Sequence, residues 1–355
     1  MKIYVYAICR NEEKAASQWA KSMSEADGIF VLDTGSSDKT VEILEKKGVS
    51  VKTMRLSPFR YDTAKNKALA MVPRDADLCV CTNLDETFST GWRQALEDAY
   101  DPGIKQMRCR YIRKSEQHPQ LECVSWMERI HARRHFRWKK AINEVLQYTG
   151  RKAFLSVYVD AVELHSVCDG NRPENLSLLE FAVSEDACDF VNLLHLGRMY
   201  RRYERWLDCS ITLKRYLNLA SVTQEAGRCA AMRFIADSQQ QLGLLGEAES
   251  WYFRACAEGP MFREPWIALA KFLKQKGEWS GVMYCIERAL KIEKTAKNGF
   301  DEQESWDSLP YDLAATAAWH GGDDEKALFY GRIAAEKAPD SARLKSNLEY
   351  YNSGK

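Results

Sequence analysis

The chain has 355 residues, a formal net charge of +1, 45% hydrophobic and 28% charged residues. This length and composition suit a soluble globular protein of two domains and exclude a chain that coats nucleic acid over its whole surface. Eleven cysteines are scattered without a Cys-x-x-Cys pair, so they read as buried thiols in a reducing cytosol. No secretory h-region opens the chain and no run of eighteen apolar residues occurs, so the expectation is a cytoplasmic protein without membrane insertion.

In chain order, short apolar runs alternate with stretches of helical period. Ile3–Cys9, Gly28–Leu32, Val49–Met54 and Leu78–Thr82 read as strands; Glu12–Ser24, Lys39–Lys47 and Thr63–Met71 read as the helices between them. This alternation predicts a parallel α/β sheet over residues 1–165. Cys79-Val80-Cys81 lies within an apolar run and is expected to pack in the core, not to hold zinc.

From residue 166 to 355 the period is helical throughout, and the text repeats. Four units carry small residues at matching places: Leu196-Gly197 with Leu213 and Tyr216; Ala236, Gly243, Ala248 and Tyr252; Leu269-Ala270, Gly277 and Ile286; Ala314-Ala315, Gly322, Ala327 and Pro339. They resemble tetratricopeptide repeats, although only the second-to-third spacing matches that family's period. This half is expected to bind partners, while the chemistry is expected in the first half.

Three segments bring polar residues to strand ends: Arg10-Asn11-Glu12; Asp33-Thr34-Gly35-Ser36-Ser37-Asp38; and Asn83-Leu84-Asp85-Glu86. In an open parallel sheet, ligands collect outside the carboxyl ends of strands, so the three belong around one pocket. Taken in this order they resemble the family-2 glycosyltransferases, which have the GT-A fold, over about half the chain. The resemblance implies a nucleotide-diphosphate sugar such as a UDP-sugar as donor. It puts Asp33 against the nucleoside base, with Asp38, Arg10, Asn11, Gly35 and Ser36 beside it. The stretch Phe59 to Leu69 resembles the family's connecting segment, with Asp62, Lys65 and Asn66 on the nucleotide side. Asn83-Leu84-Asp85 stands where the family has a DxD motif, so Asn83 is expected near the ribose. Asp85 is expected to hold Mn²⁺ or Mg²⁺ for catalysis, with His165 completing the metal shell. Glu86 is expected to point to solvent.

Downstream, Trp138 to Glu144 resembles a stretch that usually ends His-Glu, with Asn143 replacing the histidine. Glu144 is accordingly the expected base for the acceptor, and the resemblance implies inversion at the anomeric carbon. Between Ile104 and Lys152 there are thirteen Lys or Arg against four Glu, interleaved with Tyr111, Trp126, Phe136 and Trp138. Such a mixture holds phosphate and stacks bases, so Arg133, Arg134, Trp138 and Lys139 are expected on the acceptor side. Two acceptors follow. One is DNA with a hydroxymethylated pyrimidine, as in phages that glycosylate their genomes inside a host cytoplasm; the other is a peptide or protein held by the repeats. A third reading is a non-catalytic adaptor that binds a nucleotide sugar without turnover.

Overall fold

The computed structural model describes residues 1–115, 122–168, 176–293, 300 and 302–353. The side chains of Lys114, Cys123 and Cys168, counted above, lie outside the described set. The chain divides into two compact units, Met1–Ala182 and Val183–Lys355.

The first unit runs β1 Ile3–Cys9, α1 Glu13–Ser22, β2 Gly28–Asp33, α2 Thr40–Lys46, β3 Ser50–Thr53, α3 Tyr61–Met71 and β4 Leu78–Cys81. It continues with β5 Glu86–Phe88, α4 Trp92–Ala99, β6 Ile104–Ser115, β7 Glu122–Ala132, β8 Phe136–Lys139, β9 Val145–Tyr148 and β10 Leu155–Cys168. The main sheet has the order β3-β2-β1-β4-β7-β6-β10-β5. Its first four strands are parallel, as the alternation predicts. Beyond β4 the sheet is mixed, because β7 enters antiparallel to both β4 and β6 and β5 is antiparallel to β10. The expected purely parallel sheet is corrected to this extent.

β1 and β4 are buried almost throughout because they lie inside the sheet and both of their faces are covered. On one face Ile3, Val5, Val80 and Leu78 meet Trp19 of α1 and Trp92 and Leu96 of α4. On the other, Tyr6, Ile8, Cys79 and Cys81 meet Ala64, Ala68 and Leu69 of α3 and Phe136, Trp138 and Leu146 of the β8-β9 hairpin. Cys79 and Cys81 are therefore core residues, as expected, and burial pushes the Cys79 thiol up to about 12. The expectation that all the cysteines are buried fails at Cys188, which is exposed.

Helix α5, Leu176–Glu185, begins within the first unit. Its Leu178 and Ala182 pack with Phe59, Tyr61 and Ala141, so this unit ends later than the strand pattern alone implies.

The second unit is helical: α6 Phe190–Arg202, α7 Trp206–Leu217, α8 Glu225–Gln241, α9 Leu245–Glu258, α10 Arg263–Lys276, α11 Trp279–Leu290, α12 Leu309–His320, α13 Asp324–Lys337 and α14 Ala342–Ser353. Each helix packs on the next, and α6, α8, α10 and α12 also touch in succession, which makes a stack of tetratricopeptide-like helix pairs. The pairs coincide with the four sequence units. Gly243, Gly277 and Gly322 take positive φ at the turn inside three of them. Glu204 takes the same left-handed conformation in the first.

Candidate active site

The polar strand ends gather at the carboxyl ends of β1, β2 and β4, where parallel strands hand over to helices. Much of what the sequence marks there is used to build the loops. Asp33 is 1% exposed, and its carboxylate accepts from Ser36 N at 3.0 Å, Ser36 Oγ at 2.6 Å and Gly35 N at 3.2 Å. Asn11, in the left-handed region, accepts from Ser37 N at 2.7 Å, while its own N–H donates to Ser36 Oγ at 2.9 Å. Asp38 ties two helices together by accepting from Thr40 N and Oγ1 and from Glu13 N. Desolvation raises its pKa, but these hydrogen bonds outweigh it and hold the carboxyl below its usual range. Arg10, on the same loop, is exposed.

Asp62 and Asn66 are likewise turned inward. Arg60 grips Asp62 through two parallel bonds of 3.0 and 2.9 Å, and Thr63 N adds a third at 2.6 Å. Although burial raises the Asp62 pKa, the guanidinium and Thr63 bring it below the usual range. Asn66 uses both ends of its amide on the backbone of Trp138, donating to its carbonyl and accepting from its N–H, each at 2.9 Å. This clips β8 to α3. Ala141 O, accepting from Tyr61 N at 2.9 Å, clips the hairpin loop to the start of the same helix.

The clip brings Lys65 to Glu144, residues 79 positions apart. Lys65 Nζ donates to Glu144 Oε1 at 2.5 Å and sits 4.5 Å from the centroid of the Trp138 ring. Lys65 is 1% exposed and Glu144 16% exposed at the side chain, so the carboxylate is the part of the pair that reaches the surface. Lys140 and Asn143 turn the loop that carries it, both with positive φ. Asn tolerates that region better than most residues, which gives a local reason for asparagine at 143.

Trp138, expected on the acceptor side, is placed in the core at 3% exposure. Its Nε1–H donates to Tyr6 OH at 2.7 Å, and Tyr6 OH in turn lies 2.8 Å from His131 Nε2. His131 Nδ1 is 2.9 Å from Ala132 O, so a neutral ring that donates there and accepts from Tyr6 satisfies every group. Burial lowers the His131 pKa to about 4. Of the other acceptor-side residues, Arg134 and Lys139 are exposed, while Arg133 is half-buried and donates to Val72 O at 3.2 Å.

At the third strand end, Glu86 corrects an expectation: it is fully buried, not solvated. Leu84, Glu86 and Phe88 alternate inward on one side, so the carboxylate is carried into the interior with its apolar neighbours. It accepts from Asn83 N at 2.8 Å, Asn83 Nδ2 at 3.1 Å and Arg129 Nη2 at 2.9 Å. Desolvation lowers the Arg129 pKa, but the Glu86 carboxylate and other nearby acids, Glu144 among them, raise it further, well above the usual arginine value. Arg129 is 8% exposed and its Nε has no hydrogen-bond partner among the described residues. The Asn83 side chain is thus held to Glu86 by its amide nitrogen.

Asp85 is half-buried in the turn between β4 and β5. His165 pairs across the β10-β5 ladder with Thr87, and its Nε2 lies 2.9 Å from Ser89 Oγ and 3.6 Å from Glu163 Oε2. Asp85 immediately precedes the ladder, whose first pair is Glu86 with Ser166. Among the described residues no three His, Cys, Asp or Glu side chains gather to cage a metal.

The basic stretch is more neutral than its composition. Arg108 pairs with Glu128, Arg110 with Glu163 and Arg129 with Glu86, while Glu144 of the stretch is taken by Lys65 from outside it. Arg134, Arg137 and Lys139 stay exposed on or just before the β8-β9 hairpin.

No protein-family model matches the chain, and no curated protein matches it. Among solved structures similar to it, MamA is 19% identical, with 47% of this chain and 89% of that one covered at a TM-score of 0.38. YrrB, a TPR protein with an unusual peptide-binding site, is 14% identical over 49% of this chain and 81% of its own, also at 0.38. PilF of Pseudomonas aeruginosa is 12% identical over 50% and 72%, at 0.39.

Proposed function

We propose that the first unit is a glycosyltransferase of the GT-A kind that moves a sugar from a nucleotide-diphosphate donor to an acceptor hydroxyl or thiol with inversion. The observation that carries this reading is that the buried Lys65–Glu144 pair and the buried Arg129 both lie within electrostatic reach of Cys81, at the carboxyl end of β4. The unpartnered Nε of Arg129 suits an anionic ligand, because a buried cation with a free donor gains from a phosphate oxygen.

In this reading the Asp33–Ser36 turn and Asn11 shape the wall around the nucleoside, and Asn83 Oδ1 meets the ribose. Asp85 and His165 would hold a divalent cation whose charge offsets that of the diphosphate, with donor oxygens completing its shell. Glu144 takes the acceptor proton as the acceptor oxygen or sulfur bonds to the anomeric carbon; the bond to the diphosphate oxygen breaks and the nucleoside diphosphate departs. Lys65 and Arg129 stabilise charge in a site partly shielded from water.

The acceptor we favour is a peptide or protein side chain, since three cations of the basic stretch, Arg108, Arg110 and Arg129, are already paired with carboxylates. The exposed Arg134, Arg137 and Lys139 favour a second acceptor, DNA carrying a hydroxymethylated pyrimidine. Incubation with a panel of nucleotide sugars, Mn²⁺, a peptide library and hydroxymethylated DNA, read by mass spectrometry, decides both donor and acceptor. Transfer to DNA alone, lost on Arg134→Glu, selects the second reading.

A further inference from the structure

The helical unit contains a cavity of about 740 Å³ along α6, α8 and α10, a volume within the range of small-molecule sites. Residues 302–304 form one of its walls. That wall is fixed in place: Glu302 N donates to Glu264 Oε1 at 3.4 Å, Trp306 Nε1 to the same oxygen at 3.0 Å, and the Gln303–Ser305 turn packs on α10 and α12. The charges of the lining are matched. Arg201 lies 2.6 Å from Asp237, Glu302 Oε1 accepts from Arg233 Nη1 at 2.8 Å, and Glu304 Oε1 accepts from Lys271 Nζ at 2.9 Å. Arg202 and Glu204, both exposed, add one charge of each sign, so the lining as a whole is neutral.

Such a lining selects among ligands by their charge. An anion would have to take the place of a glutamate on Arg233 or Lys271, and a cation would have to draw Asp237 away from Arg201. Either exchange leaves a charge of the lining unpaired, which is costly beside a buried guanidinium such as that of Arg233. A hydroxyl is donor and acceptor at once, so it can bond to both members of an ion pair without breaking it. The Lys271 ammonium and the Glu304 carboxylate each keep bonding capacity beyond their mutual bond. The polar groups are also held ready: Asp237 accepts from Tyr252 OH at 2.7 Å, and Gln240 Nε2 donates to Gln275 Oε1 at 2.7 Å. Trp206 and Phe272 add aromatic surface to the same lining, and an aromatic face suits the C–H face of a sugar ring.

We propose that this cavity binds a neutral oligosaccharide, whose hydroxyls bond to the Lys271–Glu304 and Arg201–Asp237 pairs while a sugar ring lies against Trp206. No ion pair of the lining opens and residues 302–304 stay where they are. The inference does not rest on the transfer reaction assigned to the first unit.

The test applies the labelled full chain to an array of neutral, sulfated and sialylated oligosaccharides, with excess UDP present to fill a nucleotide site in the first unit. Neutral oligosaccharides are expected to be retained, and the affinity for the best of them to change less than about twofold between about 0.05 and 0.5 M NaCl, because no net charge is screened. Lys271→Met with Gln275→Ala, both at exposed positions, and separately Trp206→Leu are each expected to weaken that binding by at least about tenfold. Retention of no neutral oligosaccharide, preference for the sulfated or sialylated ones, or full affinity in these variants overturns the proposal. Should a variant unfold, hydrogen exchange of amides 302–306 in the parent chain decides the matter. The best-retained oligosaccharide at saturation is expected to slow it at least about threefold; unchanged exchange there overturns the proposal.

Discussion

Arg129→Met tests whether the buried ion pair fixes the third strand end. Glu86 is 0% exposed and accepts three hydrogen bonds, two from Asn83 and one from Arg129. Methionine keeps much of the length and removes the charge, leaving a carboxylate in the interior with only neutral donors. Breaking a buried pair from one side costs about 3–5 kcal/mol. Glu86→Gln strands Arg129 in the same way, yet its amide oxygen still accepts from Asn83 N. Combining the two removes both charges, so the double variant is expected to be less destabilised than the sum of the singles by roughly 2 kcal/mol. Native-state hydrogen exchange of the β1 and β4 amides, the buried strands of this unit, reads the free energies. Single costs under about 1 kcal/mol, or strict additivity, refute the pairing.

Other perturbations follow from the same geometry. His131 is lowered from 6.5 to about 4, so between these values the unfolded chain binds a proton that the folded chain refuses. Its stabilising effect is complete above about pH 6.5 and is lost as pH falls toward 4, by roughly 3 kcal/mol, and urea titrations at pH 7 and 4.5 are expected to differ less in His131→Gln. Asp38→Ala releases the clasp on α1 and α2 and is expected to cost about 1 kcal/mol, with local loss of exchange protection at Thr40 and Glu13; unchanged protection there contradicts the clasp. Gly197→Val drives a side chain into Leu213, whose atoms stand 2.3 Å from an added Cβ. Overpacking of about 1–3 kcal/mol is expected, seen as earlier thermal unfolding of the helical unit.

The parallel half of the sheet is legible because β1, β2 and β4 are short apolar runs, and the polar β3 falls among them at the same spacing, separated by helices. The strands β6 to β10 are harder to read because arginine and glutamate interrupt them and their polar faces look like a charged loop. A signal was nevertheless present in β8, where Phe136 and Trp138 are buried and Arg137 and Lys139 exposed in strict alternation. The same alternation through residues 84–88 marks Glu86 as inward with Leu84 and Phe88, whereas in β7 Arg129, Ile130 and His131 are all buried and no alternation marks the two polar ones. The strand-end loops were visible as polar clusters. That Asp33, Asp38, Asp62 and Asn66 turn their side chains into the protein was not, because the partner atoms are set by loop conformation. The Lys65–Glu144 pair depends on a hairpin folding back onto α3 across 79 residues, and no local pattern encodes that register. In the second unit, positive-φ glycines at Gly243, Gly277 and Gly322 made the repeat visible, and Glu204 hid its first turn.

Acceptor-dependent release of nucleoside diphosphate reads out the proposed sugar transfer by the first unit. With Mn²⁺, a panel of nucleotide sugars and the acceptor mixture, the parent chain is expected to release diphosphate only when acceptor is present. Glu144→Gln, which keeps the hydrogen bond to Lys65 through its amide oxygen but cannot take a proton, is expected to lose about 10²–10⁴-fold in kcat with donor affinity retained. Donor binding without release from any sugar nucleotide, or full turnover by Glu144→Gln, contradicts transfer with Glu144 as base.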